Sequence, residues 1–151
     1  MFTVLCALIT LLVPPQSEKS IRLTLHQEFG RAVFRECRLD VGTYDGASGT
    51  AAVRCVRNVT PPTDLLRERR LTAEEANRLV GLARESNLLA GGHIGTDMTA
   101  ADGIFETLTV TDAAKTGVLV TSGNASFTTG ARRNLLDLLH TLLYELQKSA
   151  R

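Results

Sequence analysis

His93, Asp97 and Asp102 come closest, in this 151-residue chain, to a metal-binding constellation. One imidazole and two carboxylates could ligate a divalent cation and activate a bound water, as a small metal-dependent hydrolase would require. The ligand rules speak against it. Zinc sites draw three or four ligands, mostly His and Cys, and this segment supplies a single imidazole. The aspartate spacing also departs from the calcium loop D-x-[DN]-x-[DN]-G. No metal and no cofactor are expected. Ser122-Gly123-Asn124 ends a strand-like run, but no G-x-S-x-G elbow surrounds that serine. Gly91-Gly92-His93-Ile94-Gly95 matches neither the dinucleotide fingerprint nor a phosphate-binding loop. The neighbouring carboxylates Glu74 and Glu75 fit a helix start better than acid–base catalysis. His26 and His140 read as ordinary surface histidines on a strand and a helix. The chain is not expected to be an enzyme.

Charge and composition narrow the partners. Lys and Arg number 17 and Asp and Glu 16, a net charge of +1. A nucleic-acid binder normally carries a basic excess, so none is expected. Apolar residues make up 44% of the chain, enough for a core and for one domain at this length. The balance is uneven along the chain. Residues 71–112 are acidic, whereas 21–70 and 113–151 are basic. An acidic segment inside a basic domain can meet a partner by electrostatic complementarity.

The N-terminus predicts export. The first 17 residues carry no charge, and Phe2 to Val13 is apolar except for Thr3 and Thr10. That run is short for a membrane-spanning helix, which needs about 20 residues. It fits the apolar region of a signal peptide, with cleavage expected near Ser17. Residues 1–17 are therefore expected to be a leader and 18–151 one domain, periplasmic or secreted, with no stable membrane insertion after leader removal. Cys6 lies mid-run without a lipoprotein context, so no lipid anchor is expected.

Cys37 and Cys55 remain, and an even pair in an exported chain reads as a disulfide. Both lie nine residues from Gly46, within the turn-rich stretch 42–49. A hairpin folded about Gly46 pairs Cys37 with Cys55, Leu39 with Val53, Val41 with Ala51 and Val33 with Val59. Strand alternation puts these on one face, along with a poorly matched Arg35–Arg57 pair. Asp40–Ala52, Arg38–Arg54 and Glu36–Val56 fall on the other, more polar face.

The remaining elements follow from periodicity. Ile21 to His26 alternates as a half-buried strand. Asn58 to Asp64, with Pro61-Pro62, reads as a break. Thr72 and Glu75 form a capping box, and Ala76, Leu79, Val80 and Ala83 form the apolar stripe of the following helix. That helix should end between Asn87 and Leu89. Residues 90–103 lack apolar periodicity and read as a long loop, the kind that is often functional. Phe105 to Thr111 and Val118 to Thr121 are strands around a turn at 112–117. A last helix follows Gly130, its buried stripe formed by Leu135, Leu138, Leu139, Leu142 and Leu146, widened by Leu136 and Leu143. The order β-ββ-α-ββ-α predicts an α+β fold: an antiparallel sheet of four to five strands with two helices on one face. The other face is then open to solvent or a partner.

The helix opening Leu71-Thr72-Ala73-Glu74-Glu75-Ala76, the loop, the hairpin beginning Phe105-Glu106-Thr107-Leu108-Thr109-Val110 and the leucine-rich last helix resemble emfourin-like proteins. These are small bacterial inhibitors of thermolysin-type metalloproteases, and the resemblance covers residues 21–147. His26-Gln27-Glu28-Phe29-Gly30 is loosely similar to the family's Gly-Phe-rich turn. The cysteine hairpin and the leader depart from its pattern. The resemblance implies a binding module whose partner is a secreted metalloprotease, acting through a loop or the open sheet face. In the loop 90–103, Ile94 and Met98 either plug the end of the core or are apolar contacts to a partner, with His93, Asp97 and Asp102 as the polar ones. The alternatives are an envelope protein with a structural role and the metal-dependent hydrolase weighed above.

Overall fold

The computed structural model describes residues 20–30, 32–44, 48–91, 93–95, 104–113, 115–122 and 129–149. The expected leader, residues 1–17, lies outside the described residues. So do Asp97, Met98 and Asp102. The chain is α+β. Its strands are β1 (Ile21–Phe29), β2 (Phe34–Tyr44), β3 (Ser48–Arg57), β4 (Asp64–Arg70), β5 (His93–Gly95), β6 (Ile104–Asp112) and β7 (Lys115–Ser122). Its helices are α1 (Ala73–Glu85), the four-residue α2 (Leu88–Gly91) and α3 (Gly130–Lys148). The strands form one sheet in the order β4-β3-β2-β1-β6-β7-β5. Every neighbouring pair is antiparallel except β5 on β7, which is parallel.

The expected four to five strands therefore become seven. The first addition, β4, continues the meander beyond the Pro61-Pro62 break and forms one edge. Leu65 is its one buried side chain, and its Arg- and Glu-rich sequence suits an edge that must not recruit another chain. The second, β5, lies within residues expected to be loop. The β2–β3 hairpin keeps the expected register from Val41–Ala51 through Cys37–Cys55 to Glu36–Val56, and then shifts. Phe34 pairs with Arg57, so Arg35 is skipped as a bulge. The expected Arg35–Arg57 and Val33–Val59 pairs do not form as ladder partners. Val33 and Val59 are both exposed.

One face of the sheet is covered. Ile21, Leu23 and Leu25 of β1, Leu39 and Val41 of β2, Ala51 and Val53 of β3, and Leu108 and Val110 of β6 are buried together. Ala76, Leu79, Val80 and Ala83 of α1 close over them, as do Leu135, Leu136, Leu139, Leu142, Leu143 and Leu146 of α3. Leu138, expected in that stripe, is only partly buried at its edge. Thr72 caps α1: its Oγ1 accepts from the Glu75 amide at 3.2 Å while Glu75 Oε2 accepts from the Thr72 amide at 2.8 Å. Two of the helix's orphan donors are thereby satisfied. After α1, Asn87 takes a positive φ of 57° and redirects the chain into α2. Leu88 then seats against Gly117 of β7, so closely that any Cβ at 117 would overlap the Leu88 carbonyl. A glycine is required there by close approach. β6 runs to Asp112 and β7 begins at Lys115, so both strands reach into the residues expected as turn, and Ala113 takes φ 49°.

Candidate functional site

Among the described residues no helix lies on the second face of the sheet, and strand register sorts its side chains into rows. The first row runs Asp64, Val56, Glu36, Glu28 and Phe105 from β4 to β6. The second is Leu66, Arg54, Arg38, His26, Thr107 and Val120. The third is Glu68, Ala52, Asp40, Thr24, Thr109 and Val118. The fourth is Arg70, Thr50, Gly42, Arg22, Thr111 and Thr116. Rows of negative and positive charge thus alternate along the strands. The charge sits on β1–β4, whereas β6 and β7 present Thr, Val and Phe105.

Local ion pairs link the rows. Arg38 donates to both oxygens of Asp40, at 2.8 Å from Nε to Oδ2. Thr24 donates to Asp40 at 2.8 Å. Arg54 reaches Asp64 at 2.7 Å. His26 lies 3.8 Å from Glu36 and 3.9 Å from Glu28. Exposed pairs of this kind contribute about 0–1 kcal/mol each, so they shape the face more than they stabilise the fold. Two shallow grooves, of 370 and 340 Å³, flank Arg54. Leu66, 61% exposed, lines one of them. A single exposed apolar side chain is ordinary on a protein surface, so the charge pattern rather than Leu66 distinguishes this face.

The covered face holds a polar cluster at the open end of the β1–β6–β7 segment. Gln27, Glu106 and Thr121 are register neighbours there and all three are buried. Gln27 Nε2 donates to Glu106 Oε2 at 3.1 Å, and the same oxygen meets His140 Nε2 of α3 at 2.5 Å. Burial alone would raise the Glu106 carboxyl. The hydrogen bond and charge of His140, with Gln27 and the nearby Arg133 guanidinium, outweigh it and hold the group below the usual carboxylate range. His140 is therefore a docking residue for α3 rather than the plain surface histidine expected. Thr121 Oγ1 is buried and, among the described residues, has no hydrogen-bond partner.

A second polar tie sits at the start of α1. Arg69 of β4 grips Glu75 through two bonds, at 2.7 and 2.9 Å, and reaches Glu145 of α3 at 3.0 Å. Hydrogen bonds from Arg69, and then from the Thr72 amide, bring the Glu75 carboxyl down to about 2 despite its partial burial. One guanidinium thus joins an edge strand to both long helices.

The residues singled out from sequence fare differently. Cys37 and Cys55 come together as a disulfide, with S–S 2.06 Å, beneath Gln147 of α3, whose amide nitrogen approaches both sulfurs at 3.2 and 3.3 Å. His93 and Ile94 are not in a loop: their backbone pairs with Val118 and Leu119 in β5. Asp97, Met98 and Asp102 fall outside the described residues, so the five expected contacts are not brought into one observed site. Among the described residues no group of three or more His, Cys, Asp or Glu could hold a metal. No described helix is long and apolar enough to cross a membrane. No protein-family model matches this chain, and no curated protein matches it.

Proposed function

We propose that the chain is a non-catalytic binding module, exported to an oxidising compartment, that engages a protein through the open face of its sheet. The observation that carries this reading is the uncovered face itself, with its alternating charged rows. Antiparallel sheets tolerate one solvated face, but a face patterned by charge is also a device for selecting a partner and fixing its register. The cross-strand disulfide and the apolar run at residues 2–13 support export.

The resemblance to emfourin-like inhibitors makes a secreted thermolysin-type metalloprotease the first partner to test. The experiment is an inhibition titration with the purified domain and with the Arg38→Glu, Arg54→Glu double variant. Inhibition by the domain that weakens at least tenfold in the variant supports both the partner and the face. Inhibition unchanged in the variant refutes the face. No inhibition at micromolar excess removes the metalloprotease.

A further inference from the structure

We infer that the partner that fits the open face best is a second copy of this chain, laid face to face about a two-fold axis running across the strands. This rests on the reading of that face as a binding surface and names its occupant. The argument comes from the order of the rows. Asp64, Glu36 and Glu28 make the first row acidic, and Arg54 and Arg38 make the second basic. Glu68 and Asp40 make the third acidic, and Arg70 and Arg22 make the fourth basic.

A two-fold axis in the plane of contact, parallel to the rows and midway between the second and third, reverses their order in the facing copy. The first row then meets the fourth, and the second meets the third. Each acidic row lies on a basic one. In this arrangement Glu28 of one copy faces Arg22 of the other, Asp64 faces Arg70, and Arg38 faces Asp40. The Arg38–Asp40 pair already formed within each chain becomes a four-charge ring across the axis. On the uncharged side, Val120 faces Val118 and Thr107 faces Thr109, which removes apolar and hydroxyl surface from water with no charge to desolvate.

The same pattern rejects the alternatives. An axis parallel to the strands, between β1 and β2, sets Glu28 on Glu36 and turns the charged strands β3 and β4 onto the uncharged β6 and β7, leaving Arg54, Asp64, Glu68 and Arg70 without opposite charges to face. A slip of one row puts the first row on the third, both acidic, and the second on itself, basic on basic. Like charges brought together across an interface disfavour those registers, so the pattern specifies both the symmetry and the alignment.

The area suffices. Six strands spaced about 4.8 Å apart, and four rows about 6.8 Å apart, give a footprint of roughly 700–800 Å² per copy. A stable interface of standard size buries about 800 Å² per partner. Two twisted sheets pack face to face within about 30° of alignment, which a small tilt of the axis supplies. Arg22, Arg70 and Glu68 are exposed and, among the described residues, have no ion-pair partner within their own chain. Arg22 and Arg70 acquire one in the facing copy.

The test is sedimentation equilibrium on the full chain, from about 1 to 100 µM, at low and high salt. The expected result is a dimer that loosens as salt rises. Arg22→Glu alone and Glu28→Arg alone should each weaken dimerisation at least tenfold, because each sets like charges against each other at two symmetric contacts. Combining Arg22→Glu with Glu28→Arg should restore the dimer to within about threefold, since the reversed charges again face opposite signs. Both side chains are exposed, and an unchanged melting temperature verifies the fold of each variant. A monomeric wild-type chain at 100 µM and low salt overturns the second-copy assignment. So does a double variant no better than the singles. Neither result touches the open face as a surface for another protein, which the Arg38, Arg54 inhibition comparison decides separately.

Discussion

Replacing Glu75 by Gln isolates the charge that ties α1 to the edge of the sheet. Gln at the third helical position can still accept from the Thr72 amide, so the capping box survives in neutral form. What disappears is the carboxylate held by Arg69 at 2.7 and 2.9 Å. Its pKa falls from 4.5 to about 2 in the folded chain. At about 1.4 kcal/mol per unit, that shift sets an upper bound of roughly 3 kcal/mol. The Arg69 and Glu75 side chains are 29% and 26% exposed, so solvent screening reduces the expected contribution to about 1–2 kcal/mol. A carboxylate whose folded pKa is depressed stabilises the fold at pH values above its unfolded pKa, and the contribution fades as pH falls toward the folded value. Urea unfolding of wild type and Glu75→Gln should therefore differ by about 1–2 kcal/mol at pH 7 and equally at pH 6. The gap should narrow below about pH 4.5 and be nearly closed at pH 2. A gap of the same size at pH 2 and pH 7 would show that the loss comes from packing or capping and not from the ion pair. No gap at pH 7 would show that Arg69 finds equal support from Glu145 alone.

Leu139 is fully buried at the centre of the α3 stripe, and Leu139→Ala should lose about 2–5 kcal/mol in the same assay; less than about 1 kcal/mol would make α3 peripheral to the core. Peptide mapping of non-reduced protein should recover Cys37 and Cys55 as one linked pair, and Cys37→Ala with Cys55→Ala should lose about 3 kcal/mol for a sequence separation of 18. Two freely alkylated thiols in native secreted material would contradict both the bridge and export. His140→Ala leaves the buried Glu106, among the described residues, with Gln27 as its remaining side-chain hydrogen-bond partner and should lose about 1–3 kcal/mol at pH 7, a range that allows for the part-exposed histidine. A variant equal to wild type would show that α3 docks without that pair.

Local signals carried the parts of the fold that the sequence discloses. The β2–β3 register follows from two cysteines equidistant from a turn. Thr72, Glu75 and the leucines of α3 mark their helices through spacing of three and four residues. β4 was hidden because its charged side chains obey no alternation, and its place is set by pairing with β3 rather than by its own pattern. The bulge at Arg35 was hidden for a similar reason: counting symmetrically from Gly46 assumes an unbroken ladder. β5 is three residues long and has no periodicity to detect. The candidate face is still less local. Arg22 and Glu28 belong to one short strand, but their rows exist only once β1 to β4 lie side by side. Glu106 and His140 are 34 residues apart, and neither neighbourhood in the sequence announces the other.

The position of β1 has a consequence for the order in which the chain can be completed. It is the earliest of the described strands, yet it lies inside the sheet, between β2 and β6. Its pairing with β2 closes through one turn, whereas Gln27 must wait for Glu106, 79 residues later. During synthesis the β1–β4 meander can assemble while the backbone edge of β1 that pairs with β6 has no neighbour and the face carrying Ile21, Leu23 and Leu25 lacks α3. An unpaired edge backed by apolar side chains is a template for strand exchange with another chain. Closing it requires contacts of long sequence separation, which form slowly because loop entropy is lost before they are gained. Newly made protein should thus depend more on being kept apart from other copies before β6 arrives than on any property of the finished sheet.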